Sequence, residues 1–270
     1  MTFSSRTVLL VHAHPDDESI FTGATIRRLA DLGARVVLVT ATYGELGGSR
    51  LRLGEDETLT GRRLAELESA AERLGVARLV LLGWRDSGLP DTADNVHPGA
   101  LASADSHRLA RSVAQLAIAE SAEAILHDDA AGIYGHPDHI ATYRIGHAAA
   151  AMVGVTSYEV TVDRAYLSRQ SGHLVDAAAA ATGRAYGMPA ELITTTLTAT
   201  EDELVAKQDA IAAHASQVDP EEVRHSRFAS VYRHEWFGRN GEPTVVDEAA
   251  ALARTVGPSV VSDSVSPRVH

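Results

Sequence analysis

The sequence predicts an α/β protein of the Rossmann-like, doubly wound class. Short apolar runs alternate with segments of helical period through residues 1–153. These runs carry few polar residues at alternate positions, as expected for strands that are buried on both faces. Strands that alternate with helices form a mostly parallel sheet, and right-handed crossovers then place helices on both of its faces.

The first part of the chain contains four strand–helix pairs. The predicted strands are residues 7–12, 35–42, 78–82 and 124–127, and the predicted helices are residues 20–32, 59–74, 106–120 and 138–153. The strands are rich in Val, Leu and Ile, whereas the helices carry apolar side chains three and four positions apart. Gly33 and Gly75 mark the ends of the first two helices.

The second part of the chain is less regular. Residues 158–162 and 192–198 alternate apolar with polar side chains, which is typical of half-exposed strands. Residues 201–214 have a helical pattern, and Thr200 is suited to be the N-cap of that helix.

The predicted organisation is one domain over residues 1–255. Residues 1–153 would form its Rossmann-like core, and residues 154–255 would complete the pocket. The last segment, 256–270, is rich in Ser, Pro and Val and is expected to be a flexible tail.

Composition excludes several classes of function. The 24 Lys and Arg residues against 36 Asp and Glu give a formal net charge of −12, which argues against nucleic acid or an anionic membrane as the main partner. The absence of cysteine excludes disulfides and thiolate metal sites. No apolar run has the length of a membrane span, and the first ten residues lack the layout of a signal peptide. A cytoplasmic location is therefore expected.

Two short strings of histidine and aspartate follow predicted strands. HPDDE at residues 14–18 comes directly after the first strand, and HPDH at residues 136–139 comes shortly after the fourth. In a doubly wound sheet, ligands bind at the carboxyl ends of strands where the strand order reverses, and these two strands usually flank that point. The two strings are therefore expected to face each other across one crevice.

Imidazole and carboxylate ligands without thiolate suit zinc, with ferrous iron as the alternative. His14 and Asp17 lie three positions apart in a turn, so both can point at one ion, and His136 or His139 could supply the third ligand. A remaining carboxylate could act as general base. The competing interpretation is that Asp16 and Asp17 cap the N-terminus of the helix that follows.

The strings HAHPDDES and YGHPDH resemble those of the LmbE-like, or PIG-L, family of metal-dependent N-deacetylases of N-acetylglucosamine conjugates. The resemblance extends over most of the chain and includes GAT at residues 23–25, WRDSG at 84–88 and HASQ at 214–217. These additional strings are most similar to the mycothiol-pathway branch, which contains a deacetylase of N-acetylglucosaminyl-inositol and an amidase of mycothiol conjugates. The family has a Rossmann-like fold.

The resemblance implies a metal centre and a base. His14, Asp17 and His139 would hold zinc, and Asp16 would be the general base that takes a proton from the water activated by the metal.

The resemblance also implies roles for five further residues. His136 would stabilise the oxyanion or act as general acid, and Asp138 would orient it through a hydrogen bond. Tyr134 would close over the acyl group, whereas Arg63 and Asp86 would bind the sugar hydroxyls and the inositol part. Without the resemblance, Tyr134 would be interpreted as a surface-loop tyrosine and Arg63 as a solvated or salt-bridged arginine.

Several other polar residues near the same edge receive structural interpretations. His127, Asp128 and Asp129 end the fourth strand, where they would either support the metal ligands through hydrogen bonds or be polar loop residues, and the loop interpretation is favoured. His12 is interpreted as a packed residue at the end of the first strand. His214 fits the C-terminus of a helix.

The expected function is zinc-dependent removal of an N-acetyl group from an N-acetylglucosamine conjugate. The alternatives are an amidase of mycothiol-type conjugates and a non-catalytic sugar-binding relative. Gly48 stands where mycothiol-branch proteins usually carry an acidic residue, so another amino-sugar conjugate is a further alternative to the inositol compound. The expected partner is thus a small molecule and not nucleic acid, and assembly into a homo-oligomer is compatible with the sequence.

Overall fold

The computed structural model describes residues 2–170, 172–224 and 227–252. Seven strands form one sheet in these residues: β1 Thr7–His12, β2 Arg35–Thr42, β3 Arg78–Trp84, β4 Ala122–Asp128, β5 Thr156–Thr161, β6 Thr195–Thr198 and β7 His234–Asn240. The helices are α1 Asp17–Asp31, α2 Leu59–Leu74, α3 Ser106–Ala119, α4 Pro137–Val153, α5 Arg164–Leu167, α6 Leu174–Thr182, α7 Glu201–Ala213, α8 Pro220–Val223, α9 Phe228–Tyr232 and α10 Val245–Leu252.

The strand order is β3-β2-β1-β4-β5-β7-β6, which confirms the doubly wound α/β class. The first five strands in this order pair in parallel, and β7 runs antiparallel to both β5 and β6. Because β1 pairs with β2 on one side and β4 on the other, the strand order reverses between β1 and β4. The reversal places the carboxyl ends of these two strands side by side, as the sequence predicts.

Helices cover both faces of the sheet. Val8 and Leu10 of β1 belong to a core that also contains apolar side chains of α1, α2 and α7. Leu9 and Val11 point to the other face, where they share a second core with side chains of α3 and α4. This alternation explains why β1 is fully buried and reads as a continuous apolar run.

The C-terminal part differs most from the expectation. Helix α6, strand β7 and helix α10 are absent from the sequence-based prediction, and residues 192–194 precede β6 instead of belonging to it. The α6 sequence, LVDAAAAAT, has little polar contrast between its faces, which explains why its pattern was not diagnostic. Thr200 does cap α7, in a capping box with Glu203.

Two expectations concern the ends and the environment of the chain. The predicted tail at residues 256–270 lies outside the described residues. Among the residues that are described, no helix combines the length and hydropathy needed to cross a bilayer.

Helices α1 and α7 are joined by buried polar contacts along their length. Arg28 of α1 forms an ion pair with Glu203 at 2.5 Å. Further along, Glu235 of β7 accepts hydrogen bonds from the backbone N–H groups of Ala24 and Thr25 at 2.8 Å each and pairs with Lys207 at 2.6 Å. Lys207 is the chain's one lysine, and only 1% of its side chain is exposed.

We expect Lys207→Met to lower the free energy of unfolding by about 3–5 kcal/mol, because it leaves the Glu235 carboxylate buried without its cation. The matched control is Arg27→Met, which removes the exposed Arg27–Asp31 pair on the same face of the fold and should cost less than about 1 kcal/mol. Urea unfolding of both variants measures the difference. Equal midpoints for the two variants would contradict the structural importance of the buried pair.

Candidate metal centre and active site

The two histidine–aspartate strings meet at the carboxyl ends of β1 and β4. His14 and Asp17 lie in the turn from β1 into α1, and His139 lies in the first turn of α4. Each of the three offers a ligand atom within 4.8 Å of the others, and all three residues are buried. Two imidazoles and one carboxylate at this spacing fit a catalytic zinc site, which uses three protein ligands and leaves a position open.

His14 and His139 each contact a further carboxylate besides that of Asp17, and this contact orients the ring. The Nε2 atom of His14 lies 3.2 Å from Asp138 Oδ2, and the Nδ1 atom of His139 lies 2.7 Å from Asp128 Oδ2. The other nitrogen of each ring faces Asp17, at 3.5 Å for His14 Nδ1 and 3.6 Å for His139 Nε2. This arrangement directs one nitrogen of each ring toward the shared site, as in carboxylate–histidine–metal triads.

Of the two interpretations of Asp128, the favoured one, a polar loop residue, is wrong, because Asp128 ends β4 and holds His139. Its side chain is fully buried and also contacts His12 Nδ1 at 3.1 Å and Thr142 Oγ1 at 2.6 Å. Although burial acts to raise the pKa of Asp128, the facing His139 and the hydrogen bonds from His12 and His139 lower it. His12 is packed at the end of β1, as expected, but it is also part of this hydrogen-bond network.

Asp16 is the residue at the turn itself, with φ at 113°. That value is unusual for a residue with a side chain and marks local backbone strain. The Asp16 side chain makes no capping hydrogen bond, so the capping interpretation is wrong for this residue. Instead, Asp16 Oδ2 lies 3.1 Å from Arg63 Nη2, and burial, opposed by the Arg63 guanidinium, raises the pKa of Asp16 to about 6.

A buried pair, Glu18 and His214, supports the strained turn through the backbone of Asp16. Glu18 Oε2 accepts a hydrogen bond from the backbone N–H of Asp16 at 3.0 Å, and Glu18 Oε1 lies 2.7 Å from His214 Nε2. His214 follows the last turn of α7, as expected, but its ring reaches the N-terminus of α1. The next residues are anchored too, because Ser216 donates to Glu66 Oε2 of α2 at 2.6 Å.

His136 and Tyr134 lie beside the metal centre on the α4 side. Burial, together with the neighbouring His14 and His139, lowers the pKa of His136 to about 2, so its ring is neutral near pH 7. The hydroxyl of Tyr134 lies 3.2 Å from His139 Nε2. The two side chains thus place polar atoms at the edge of the site.

Asp138 differs from its expected contact. Its backbone N–H donates to His136 Nδ1 at 3.2 Å, while its carboxylate accepts from the Ser87 backbone N–H at 2.9 Å and from the Ser87 hydroxyl. The carboxylate is thus directed at His14 and Ser87, and the backbone makes the contact with His136. A second group of potential ligands, His14, Asp86, His136 and Asp138, includes this same hydrogen bond between His14 and Asp138.

A cavity of about 450 Å³ opens onto these residues. Arg63 and Asp86 line it, as do Leu46 of the loop after β2 and Leu174 of α6. Arg63 is buried, and its Nη1 donates to the Gly44 carbonyl at 2.5 Å in addition to the Asp16 contact. The salt-bridged interpretation of Arg63 therefore describes its state in this structure.

The sequence pattern of the PIG-L family, described as GlcNAc-PI de-N-acetylase, matches residues 9–150, more than half of the chain. The chain belongs to the PIG-L family. A curated relative from Actinosynnema mirum, named 1D-myo-inositol 2-acetamido-2-deoxy-alpha-D-glucopyranoside deacetylase, is 36% identical over 234 residues, which cover 78% of this chain and 80% of the relative. Membership of the PIG-L family and likeness to named deacetylases identify the protein as an amide-hydrolysing enzyme.

Solved structures support the fold. N,N'-diacetylchitobiose deacetylase from Pyrococcus horikoshii is 21% identical with a TM-score of 0.56, over 87% of this chain and 84% of that chain. A 4-carboxy-2-hydroxymuconate hydratase from Pseudomonas putida is 18% identical with a TM-score of 0.59, over 88% of this chain and 98% of that one. Because a PIG-L-like architecture also occurs in a hydratase, the reaction must be argued from the site and not from the fold.

We expect Asp128→Asn to weaken zinc binding by about 10–100-fold, because the amide cannot hold His139 in the same tautomer and orientation as the carboxylate does. Competition with a chelating dye measures the dissociation constant. Asp129→Asn is the matched control, since this neighbouring carboxylate is also buried but accepts from Thr161 and from the backbone N–H of Ile133. Equal zinc affinities in the two variants would contradict the orienting role of Asp128.

Proposed function

We propose that the protein is a zinc-dependent N-deacetylase of N-acetylglucosamine conjugates, with N-acetylglucosaminyl-inositol as the first compound to test. The observation that carries this proposal is the position of Asp16. Its carboxylate, 17% exposed, belongs to the strained residue of the turn, next to the His14–Asp17–His139 group and at the wall of the cavity. The named activity of the relative from Actinosynnema mirum supports the choice of substrate.

In this mechanism, Asp16 is the general base. Its pKa of about 6 leaves it ionised near neutral pH and still close enough to accept and return a proton, as base catalysis requires. The Arg63 guanidinium holds Oδ2 of Asp16, which leaves the other carboxylate oxygen for the water that attacks the amide. When bound by His14, Asp17 and His139, zinc would act as a Lewis acid toward the amide and lower the pKa of water.

His136 and Tyr134 act on the opposite side of the amide. A neutral imidazole can donate a hydrogen bond to the oxyanion that develops on the amide oxygen, and the Tyr134 hydroxyl can donate there as well. His136 Nδ1 accepts from the backbone of Asp138, so its Nε2 carries the proton that it donates. Asp86 is proposed to bind sugar hydroxyls. Arg63 is proposed to act indirectly on the sugar, by holding Asp16 in position.

The same metal chemistry suits an amidase of thiol conjugates, which would cleave a bulkier amide. A non-catalytic sugar-binding protein has no use for a strained, half-buried Asp16 held by Arg63 and Glu18. Ferrous iron in place of zinc would use the same imidazole and carboxylate ligands.

We expect metal-stripped protein that is reloaded with zinc to release acetate from N-acetylglucosaminyl-inositol. Asp16→Asn should lower kcat by about 10²–10⁴-fold, because it removes the general base, while one zinc ion per chain is retained. Acetate release and zinc content are measured on the same samples. Absence of acetate from zinc-loaded protein would contradict this substrate, and absence of zinc binding would contradict the mechanism.

We also expect Glu18→Ala to lower kcat by about a hundredfold, because the Asp16 backbone loses the acceptor that holds its strained conformation. Glu18→Gln keeps an oxygen at this position and should restore much of the rate. The KM should change little in either variant, since Glu18 lies behind the turn. A kcat of Glu18→Ala close to that of the parent protein would show that the turn does not need this support.

A further inference from the structure

The cavity has two chemically different parts. Its polar end holds the metal-centre residues, Asp16, Asp86 and Tyr134. The remaining wall is mostly apolar and includes Phe21, Leu46, Leu89, Leu174, Val175 and Val218. Because both parts belong to one cavity, a conjugate whose acetamido group lies at the metal centre would extend along the apolar wall.

Two leucines stand at the mouth of this cavity. Leu46 is 38% exposed in the loop after β2, and Leu89 is 43% exposed in the loop after β3. Leu46 packs against Gly88, where an added Cβ would come within 3.4 Å of Leu46 Cδ1. The two leucine loops are therefore neighbours, and Gly88 has φ at +68°, a backbone conformation that favours glycine.

Helix α6 continues the apolar wall from the metal centre outward. His173, its N-cap, lies 6.3 Å from the Phe21 ring between centroids, and the Phe21 ring lies 6.3 Å from that of His139. Leu174 and Val175 follow directly and line the cavity. The apolar wall therefore begins at Phe21, which is next to the proposed metal ligand His139.

The side-chain donors nearest this wall are largely engaged within the protein. The Nε2 atom of Gln217 donates to the Gly48 carbonyl at 2.8 Å and to Ser216 Oγ at 3.1 Å. Arg63 Nη2 donates to the carbonyl of Pro15 and to Asp16. Gly48 itself adds no side chain to this rim.

These observations favour one of two kinds of aglycone, the group attached to the sugar: a polar cyclitol or an apolar alkyl or aromatic group. A cyclitol with a hydroxyl on every ring carbon would lose water from several hydroxyls that find leucine, valine and alanine instead of partners, which is costly. An alkyl or aromatic aglycone would instead gain from burying apolar surface on the same wall.

We propose that the physiological conjugate carries an apolar aglycone, which lies against Leu46, Leu89 and the Leu174 end of α6. This inference rests on the proposed N-deacetylase function and names the class of its substrate. Specificity then depends on the apolar mouth, and the chemistry at the amide is unchanged.

The test compares three substrates that share N-acetylglucosamine: the methyl glycoside, the octyl glycoside below its micelle concentration, and the inositol conjugate. We expect kcat/KM for the octyl compound to exceed that for the methyl compound by at least about tenfold, since burial of two methylene groups suffices for that ratio. The inositol conjugate should react no faster than the methyl glycoside.

Variants at the mouth assign the effect to the proposed residues. Leu46→Ser and Leu89→Ser should each lower the octyl-to-methyl ratio of kcat/KM by about threefold or more. Val96→Ser is the matched control, because Val96 is 78% exposed and does not line the cavity, so its ratio should equal that of the parent protein.

Preference for the inositol conjugate, or an octyl-to-methyl ratio that neither leucine variant changes, would overturn the inference and leave the deacetylase function intact. If zinc-loaded protein releases acetate from none of the three compounds, the proposed function fails. In that case, calorimetric binding of the octyl and methyl glycosides still tests the cavity, and equal affinities would overturn the apolar assignment as well.

Discussion

The position of α1 on the sheet depends on buried polar contacts with the C-terminal part of the chain. Arg28 meets Glu203 near the end of α1, Glu235 binds its middle, and Glu18 meets His214 at its start. Charged groups that are removed from water are stable only when they are paired in defined geometry. The contacts therefore fix both the rotation of α1 about its axis and its position along that axis. Apolar packing alone would leave both more variable.

This constraint reaches the chemistry through the turn before α1. Asp17 is the first residue of the helix and Asp16 precedes it with a positive φ, so any rotation of α1 would move both carboxylates. On the facing side, α4 carries His139 and Asp138, and Asp128 at the end of β4 holds His139. The candidate site is thus assembled between one helix that is fixed by ion pairs and one that is fixed by hydrogen bonds to the sheet edge.

Much of this could be predicted from the sequence, for identifiable reasons. The period of apolar residues specifies the alternation of strands and helices, and the topology then brings the two strings at residues 14–18 and 136–139 together. The sequence leaves two interpretations of Asp128 open, because a carboxylate at the end of a strand looks the same whether it meets solvent or a buried histidine. Its position directly after His127, at the end of a strand that is almost entirely buried, favours the hydrogen-bonding role.

The contacts of the C-terminal part were harder still to predict. Glu235 and Ala24 are 211 positions apart, and Glu18 and His214 are 196 apart. No local pattern marks a glutamate in HEWFGRN as the partner of a helix backbone near the start of the chain. Helix α6 is hard to predict for a different reason, since its alanines give almost no amphipathic signal, yet it forms part of the cavity wall.

The long separation of these contacts also sets an order of events during synthesis. A growing chain that ends at residue 153 already contains every proposed metal ligand and the first four strands of the sheet. It lacks Glu203, Lys207, His214 and Glu235, so the buried ion pairs of α1 with the C-terminal part are still missing. Because contacts between distant segments form late, Arg63 and Glu18 can hold the Asp16 turn early, whereas the partner of Glu18, His214, arrives only with the C-terminal part. The proposed metal ligands all lie before residue 153, but the set of contacts that positions α1 is complete only when the C-terminal part has been synthesised.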